Sequence, residues 1–478
     1  MIKSSEVKEM LEFINAFDLP DEGADSSVCV ERITTDIKEA FLMQRAEEVH
    51  EEIKTSEEAR HGFSKLASIC NANVKECSEC PVCKYCNHYI LNARNNVDDK
   101  ALTMVDLFCG AGGLSLGFTQ EGFVTSLAND IQDCCVDTYA HNHPETPRDH
   151  IILGDIKGVV ENVNDLLRYK HPSIVVGGPP CQGFSEANRQ RLIDDPRNHL
   201  YKNFVQIVDK TRPPFFVMEN VKGMLKVKDQ VIEDFMDIGY QVSAHILNAK
   251  DYGVPQNRER LIYIGNRIGV DNEQIFTEIF ALRADITNHV LADALYGLRP
   301  LKASRVKNAT GSDTEECGRR IESSKSMLQN EYVQLINQGR IYPATCNHKA
   351  RYNNDRDIEI FGRMYPGDKS DDPKIADIMP YKSRNDIFKD KYFKLEPDKV
   401  CKTITAHMKF DCNMYIHPSQ ARGLTPREAA RVQSYPDDYF FRGAYTKTYM
   451  QIGNSVPPLL GRAIASVVKK YIPVAGEE

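Results

Sequence analysis

The stretch Asp106–Phe118, DLFCGAGGLSLGF, decides the fold. A strand runs into glycines and then a helix, a turn that lets backbone approach a ligand and aims helix-terminal N–H groups at it. The spacing is not GxGxxG, so a dinucleotide fingerprint is not met. Upstream, the turn closes the apolar run LTMVDLF (102–108). Downstream, FVTSLAN, HIILGD, SIVVGG, PFFVMEN, YQVSAHIL and RLIYIG follow in order, each short, apolar and rich in β-branched or aromatic residues. NDLLRYK and YKNFVQIVDK read as helices between them. That alternation predicts an α/β, Rossmann-like fold, a mainly parallel sheet with helices on both faces. After Gly265 the rhythm is lost. KTITAHMKFDCNMYIHP (402–417) reads as two strands joined by a turn, and GLTPREAARVQSYP and VPPLLGRAIASVVKKYI as helices, with Pro426 near the start of the first.

Four places in this pattern carry chemistry. Asp130 and Asp155, at the ends of the second and third strands, stand where acidic residues hold ribose and adenine groups of a nucleoside cofactor. GGPPCQGFS (Gly177–Ser185) follows the fourth strand, so Cys181 lies at the carboxyl edge of the sheet. A thiol there can act as a nucleophile if its pKa is lowered, although a small buried cysteine is the commoner role. Glu219, in MENV at the end of the fifth strand, can serve as a general acid or merely as a cap or surface ion pair. In QNRERLIYIG, Arg258 and Arg260 alternate along a strand and point to one face, which suits phosphate or carbonyl oxygen.

These segments, in this order, resemble the DNA (cytosine-5) methyltransferase family. DLFCGAGG is similar to its cofactor motif and GGPPCQGFS to its catalytic-cysteine motif. MENV, QNRER, RGLTPREAARVQSYPDDY and QIGNSVPP match its later motifs, and the likeness covers roughly residues 102–265 and 396–470. The resemblance implies a methyltransferase that uses S-adenosylmethionine on double-stranded DNA. Cys181 would attack C6 of a flipped cytosine, and Glu219 would donate to N3. Arg260 would contact the carbonyl, with Arg258 on a phosphate or on Glu219. Phe108 would stack on adenine, and Gly110, Ala111 and Gly113 would form the turn beneath methionine. Asp130 would take the ribose, where the family more often has Glu. Asp155 and Ile156 would flank adenine, Pro180 and Leu200 would line the pocket, and Asn454 and Val456 would close it. Cys109 is given a packing role. The implied organisation is a catalytic domain at 100–265 completed by 422–478, with a smaller target-recognition domain at 266–421. A tRNA cytosine-5 methyltransferase and a catalytically inactive DNA-binding regulator are the alternatives. The longer recognition region disfavours the first, and the presence of Cys181, Glu219, Arg258 and Arg260 the second.

The first hundred residues differ in kind. They hold 12 of the 60 basic and 20 of the 68 acidic side chains, so the whole net charge of -8 belongs to them and the remaining chain is neutral. DNA affinity must then rest on locally placed cations and not on bulk charge. Residues 1–69 read as an acidic helical extension, with apolar positions at three- and four-residue steps in SSEVKEMLEFINAF and IKEAFLMQRAEEVHEEI. Residues 70–99 are a Cys-rich segment. Cys70, Cys77, Cys80 and Cys86 are similar in spacing to the iron–sulfur loop of endonuclease III and MutY-type DNA glycosylases, with Lys75 and Pro81 at matching places. Four such thiolates would hold a [4Fe–4S] cluster. With Cys83 in place of Cys70, the repeated CxxC would instead bind zinc. The extension could also hold a partner protein, and a cognate restriction endonuclease is compatible with the resemblance. No apolar run is long enough to cross a bilayer and the start lacks a signal pattern, so the expected location is cytoplasmic, on DNA.

Overall fold

The computed structural model describes residues 101–143, 146–168, 171–180, 200–309, 312–323, 330–338, 344–380 and 391–473. The expected helices of residues 1–69 and the cysteine segment 70–99 lie outside them, as does Cys181.

Seven strands form one sheet: β1 (Thr103–Leu107), β2 (Val124–Asp130), β3 (Ile151–Leu153), β4 (Ile174–Gly177), β5 (Phe215–Val221), β6 (Gln241–Asn248) and β7 (Glu259–Asn266). Their order is β3-β2-β1-β4-β5-β7-β6. All seven coincide with the apolar runs read from the sequence. The first five are parallel, while β7 runs antiparallel to both β5 and β6.

The strands are apolar throughout because both faces are covered. Met104, Ile174, Val176, Phe215, Val217, Ile262 and Ile264 belong to one core cluster. Their neighbours Val105, Val175, Phe216, Met218, Leu261 and Tyr263 belong to another on the opposite face. This is the two-residue alternation of a strand, with each side chain given to the opposite layer from the one before it. The first face is covered by α1 (Gly113–Gln120), α6 (Asn272–Ala281) and α12 (Pro458–Val468). The second is covered by α3 (Ile156–Leu166), α4 (Leu200–Thr211) and α5 (Lys228–Met236). Between β2 and β3 lies α2 (Asp133–Asn142).

Residues 266–421 are not a body wholly apart. Ile275, Leu291, Tyr332, Leu395, Ile404 and Tyr415 share the main core with β1 and α12. A separate small core, Ile360, Phe361, Met364, Ile375, Met379, Tyr392 and Ile416, packs around α9 (Asp355–Arg363). The short elements α7 (Leu291–Leu295), β8 (Ile321–Ser323), α8 (Glu331–Ile336) and β9 (Ala344–Cys346) complete the region.

One expectation is corrected. Residues 402–417 form no strand pair but two 3-10 turns, Ala406–Lys409 and Asn413–Tyr415, with isolated bridges at Cys401 and Ile416. Side chains take the place of a ladder there. Gln256 Oε1 accepts from Ile404 N at 2.8 Å, and Arg258 Nη1 donates to Ile404 O at 2.8 Å. With the backbone satisfied in this way, alternation of apolar residues does not imply pairing.

RGLTPREAARVQSYPDDY folds as α10 (Pro426–Val432) with its flanks. Thr425 and Glu428 form a capping box, and Pro426 occupies the first turn as expected. Its charges face inward. Arg422 grips Glu428 through two bonds of 2.6 and 2.7 Å, Arg431 grips Asp437 at 2.6 and 2.8 Å, and Arg427 is bound by the carbonyls of Cys346, Pro436 and Tyr439. The same arginines reach residues 266–421 through carbonyls, Arg431 bonding Tyr296 O at 2.6 Å and Arg427 bonding Cys346 O at 2.6 Å, and so tie that stretch to α10. The last helices are α11 (Tyr445–Asn454) and α12. No helix of the described residues is long and apolar enough to cross a membrane.

Two histidines at this seam are held neutral. Burial pushes His348 and His417 down to about 4 from the ordinary 6.5, against the pull of Glu428. The unfolded chain takes up protons near 6.5 while the fold resists until about 4, so stability is lost as pH falls through that window. The unfolding free energy at pH 5 should lie below its value at pH 7.5 by about 2 kcal/mol per histidine. In urea titrations, His348→Gln/His417→Gln should flatten that slope.

Candidate active site

The sheet order places the site. Strands β1, β4 and β5 deliver their carboxyl ends to one edge, and the reversal of order between β1 and β4 opens a crevice there. Because β7 is antiparallel, its amino end arrives at the same edge, with Arg260 opposite Val221. Parity then puts Arg260 and Glu219 on one face, and Arg260 Nε lies 2.7 Å from Glu219 Oε1. The approach to Cys181 runs beside them. A Cβ on Gly178 would stand 2.8 Å from Glu219 Oε2, so glycine is what lets that segment pass. Asn220 Nδ2 donates to Pro179 O at 2.9 Å and fixes the chain just before Pro180.

At the end of β1 the backbone turns left-handed three times within five residues. Phe108 has φ +56°, Gly110 +54° and Gly112 +80°. For a phenylalanine this is a sparsely populated conformation, the kind kept where a site requires it. A Cβ on Gly110 would meet nothing within 4 Å, so this side of the turn faces open space. The other side is closed. A Cβ on Gly113 would fall 2.2 Å from Ser455 Oγ and 2.3 Å from Val456 O, so Gly113 lets the C-terminal segment come down on the turn. Tyr435 bonds Ser455 Oγ, and Tyr439 donates to Ala111 O, so two rings from the segment after α10 brace the turn from below.

Asp130 Oδ2 accepts from Gly110 N at 2.9 Å and Oδ1 from Gln132 N at 2.8 Å. Burial raises its pKa, and these backbone bonds oppose the rise. Each oxygen retains a lone pair for a hydroxyl donor. Asp155 is exposed and caps α3 through Lys157 N. Ile156 is turned into the core below the sheet. The exposed apolar surface at this edge belongs instead to Ile131 and Leu153, 64 and 52 % exposed. The sequence reading passed over both, though each is an apolar residue at a strand's carboxyl end. Pro180 and Asn454 are exposed, Phe108 and Leu200 half-buried, and Val456 buried. A left-handed turn with one open face, a two-oxygen acceptor and an apolar shelf fit a nucleoside bearing an amino-acid tail. These residues therefore suit S-adenosylmethionine.

One reading of the arginines is corrected. Arg258 is 1 % exposed and reaches neither solvent nor phosphate. Its guanidinium donates to Ile404 O at 2.8 Å, Gly453 O at 3.1 Å and Ser455 O at 2.6 Å. It is a positioning residue that ties β7 to the segment closing over the glycine turn. Gln256 acts beside it, bonding Gln433 and Ile404. Cys109 packs against Ala128, Val136 and Tyr139, and burial pushes its thiol well up. It has the packing role expected of it.

Residues 102–470 match the C-5 cytosine-specific DNA methylase family. The chain belongs to that family. It is 34% identical over 380 residues to the type II methyltransferase M1.HphI of Haemophilus parahaemolyticus, covering 77% of this chain and 87% of the relative. With the type II methyltransferase M.DdeI of Desulfomicrobium norvegicum it shares 34% over 403 residues, 77% and 89% of the two chains. A crystal structure of a prophage-encoded E. coli protein described as a DNA modification methyltransferase superposes with a TM-score of 0.60 at 25% identity, over 77% of this chain and 99% of that one. The methylase is thus a DNA cytosine methyltransferase. Among the described residues no group of three or more His, Cys, Asp or Glu could hold a metal, and Cys70, Cys77, Cys80 and Cys86 lie outside them.

Replacing Arg258 strands three carbonyls and removes their tie. Arg258→Met should lower the unfolding free energy by about 3 kcal/mol and weaken S-adenosylmethionine binding in calorimetric titration. Arg260→Met should leave S-adenosylmethionine binding near wild type.

Proposed function

We propose that this methylase transfers a methyl group from S-adenosylmethionine to C5 of a cytosine extruded from a specific duplex sequence, through a covalent Cys181–C6 bond. The observation that carries the reading is the Glu219–Arg260 pair, set at the crevice beside the Gly178–Pro180 approach to Cys181. The target carbon is shielded within the stack, so the base must leave the duplex. Cys181 then adds its sulfur to C6 while Glu219 donates a proton to N3, which turns an aromatic C5 into the nucleophilic end of an enamine. Arg260 orients the base through its carbonyl and, with 2.7 Å to Glu219, holds that carboxyl in place. S-adenosylmethionine, when bound, supplies an electrophilic methyl group on a sulfonium sulfur. After C5 takes the methyl, loss of its proton, departure of the Cys181 sulfur and return of the N3 proton to Glu219 restore the ring.

Phe108, Gly110, Ala111, Gly113, Asp130, Ile131 and Leu153 would hold the cofactor, with Ser455 and Val456 above Gly113. Residues 266–421 would read base edges in the major groove while Arg and Lys hold phosphates. The type II names of the relatives support a place in a restriction–modification pair, with a cognate endonuclease recognising the same sequence.

Methylation of random-sequence DNA followed by bisulfite sequencing should reveal one modified motif. Cys181→Ser and Glu219→Gln should each lower transfer by at least about a hundredfold while S-adenosylmethionine still binds. Full activity of the Cys181→Ser protein overturns the reading.

For Cys70, Cys77, Cys80 and Cys86, the proposed role is thiolate binding of [4Fe–4S], with a structural or DNA-docking purpose. Protein purified without oxygen should contain iron and acid-labile sulfide. Zinc without iron would assign the repeated CxxC instead.

A further inference from the structure

The turn Ala406–Lys409 presents an aromatic ring that the fold does not use. Phe410 is 65 % exposed, although a ring of its size is normally given to a core. Single exposed apolar residues are ordinary, and three features set this one apart. The turn is rigid: Arg351 donates from Nη1 to Met408 O at 2.8 Å and from Nη2 to Phe410 O at 2.9 Å, while Met408 is buried beneath. Its position is fixed against the site from two sides. A Cβ on Gly453, in the segment leading to Val456, would stand 2.2 Å from Ala406 N, and Ile404 is held by Gln256 and Arg258 two residues before Arg260. The ring also has an aromatic neighbour and a cation beside it. His407, three residues back on the same face of the 3-10 turn, is exposed with its ring 5.3 Å from that of Phe410. Lys409 Nζ stands 4.9 Å from the ring centre and forms no ion pair among the described residues. The nearby carboxylate of Asp411 is turned back to Asn413 N.

An exposed aromatic beside a lysine, on a preorganised turn tied through Ile404 to the residues before Arg260, suits stacking on nucleobases beside phosphates. We propose that Phe410 is a positioning residue for the DNA. Its ring stacks on the bases at the target step and favours the state in which the cytosine has left the duplex, with Lys409 on an adjacent phosphate. This rests on the methyltransferase reading above.

The test uses the full chain and a duplex carrying the motif found by bisulfite sequencing, either fully paired or with adenine opposite the target cytosine. A mispaired base is cheaper to extrude, so it has less need of the ring. Phe410→Ala should lower kcat/KM on the paired duplex by about tenfold or more. On the mispaired duplex the loss should shrink severalfold, and melting temperature and S-adenosylmethionine affinity should hold. Phe410→Trp should keep the activity and Phe410→Leu should lose part of it, which keeps the question open to decision if the alanine variant unfolds. An unchanged kcat/KM on paired DNA, or equal losses on both duplexes, overturns the proposal. Absence of methylation by the wild type would instead overturn the methyltransferase reading.

Discussion

The arrangement of this site depends on one buried cation. Arg258 sits at 1 % exposure in front of β7 and gives its guanidinium to the carbonyls of Ile404, Gly453 and Ser455. Burying a guanidinium costs several kcal/mol, and burial indeed pushes its pKa well below the ordinary value. The three carbonyls offset that cost, and they come from segments 146 to 197 residues away. One side chain therefore sets the distance between the strand that bears Arg260, the turn that bears Phe410 and the segment that descends on the glycine turn.

A second layer of constraint works on the same seam. Arg422–Glu428 and Arg431–Asp437 are closed ion pairs with almost no exposure, and Arg427 is held by carbonyls alone. Buried pairs add little net stability but are costly to break, so they fix one arrangement of the segment around α10, whose arginines also bond the carbonyls of Tyr296 and Cys346 in residues 266–421. The aromatic residues next to them, Tyr435 and Tyr439, pass this placement to Ser455 and Ala111 under the cofactor turn. Residues 266–421 are in this way mechanically joined to the sheet and its glycine turn.

Charge and shape divide the labour. The chain from 101 onward is neutral, and Arg258, Arg422, Arg427 and Arg431 are spent inside. Lys409 beside Phe410 is one cation so placed that it can meet a polyanion.

The sequence by itself determined the sheet and pointed to the candidate site. Seven apolar runs became seven strands, because a strand covered on both faces is apolar at every position. The candidate catalytic and cofactor residues were legible because strand ends and glycine turns leave local marks. Asp130 and Glu219 were found in this way. Only the tertiary structure decided what depends on contacts distant in sequence. The antiparallel setting of β7, which brings Arg260 to the carboxyl edge, cannot be read from RLIYIG alone. Arg258 and Arg260 look alike two residues apart, yet one is buried by carbonyls from Ile404 and Ser455 while the other meets Glu219. Residues 402–417 alternate like strands, but Gln256 and Arg258 satisfy their backbone and leave a turn. A side chain's role there is set by which distant polar groups reach it first, and residue type and local spacing do not carry that information.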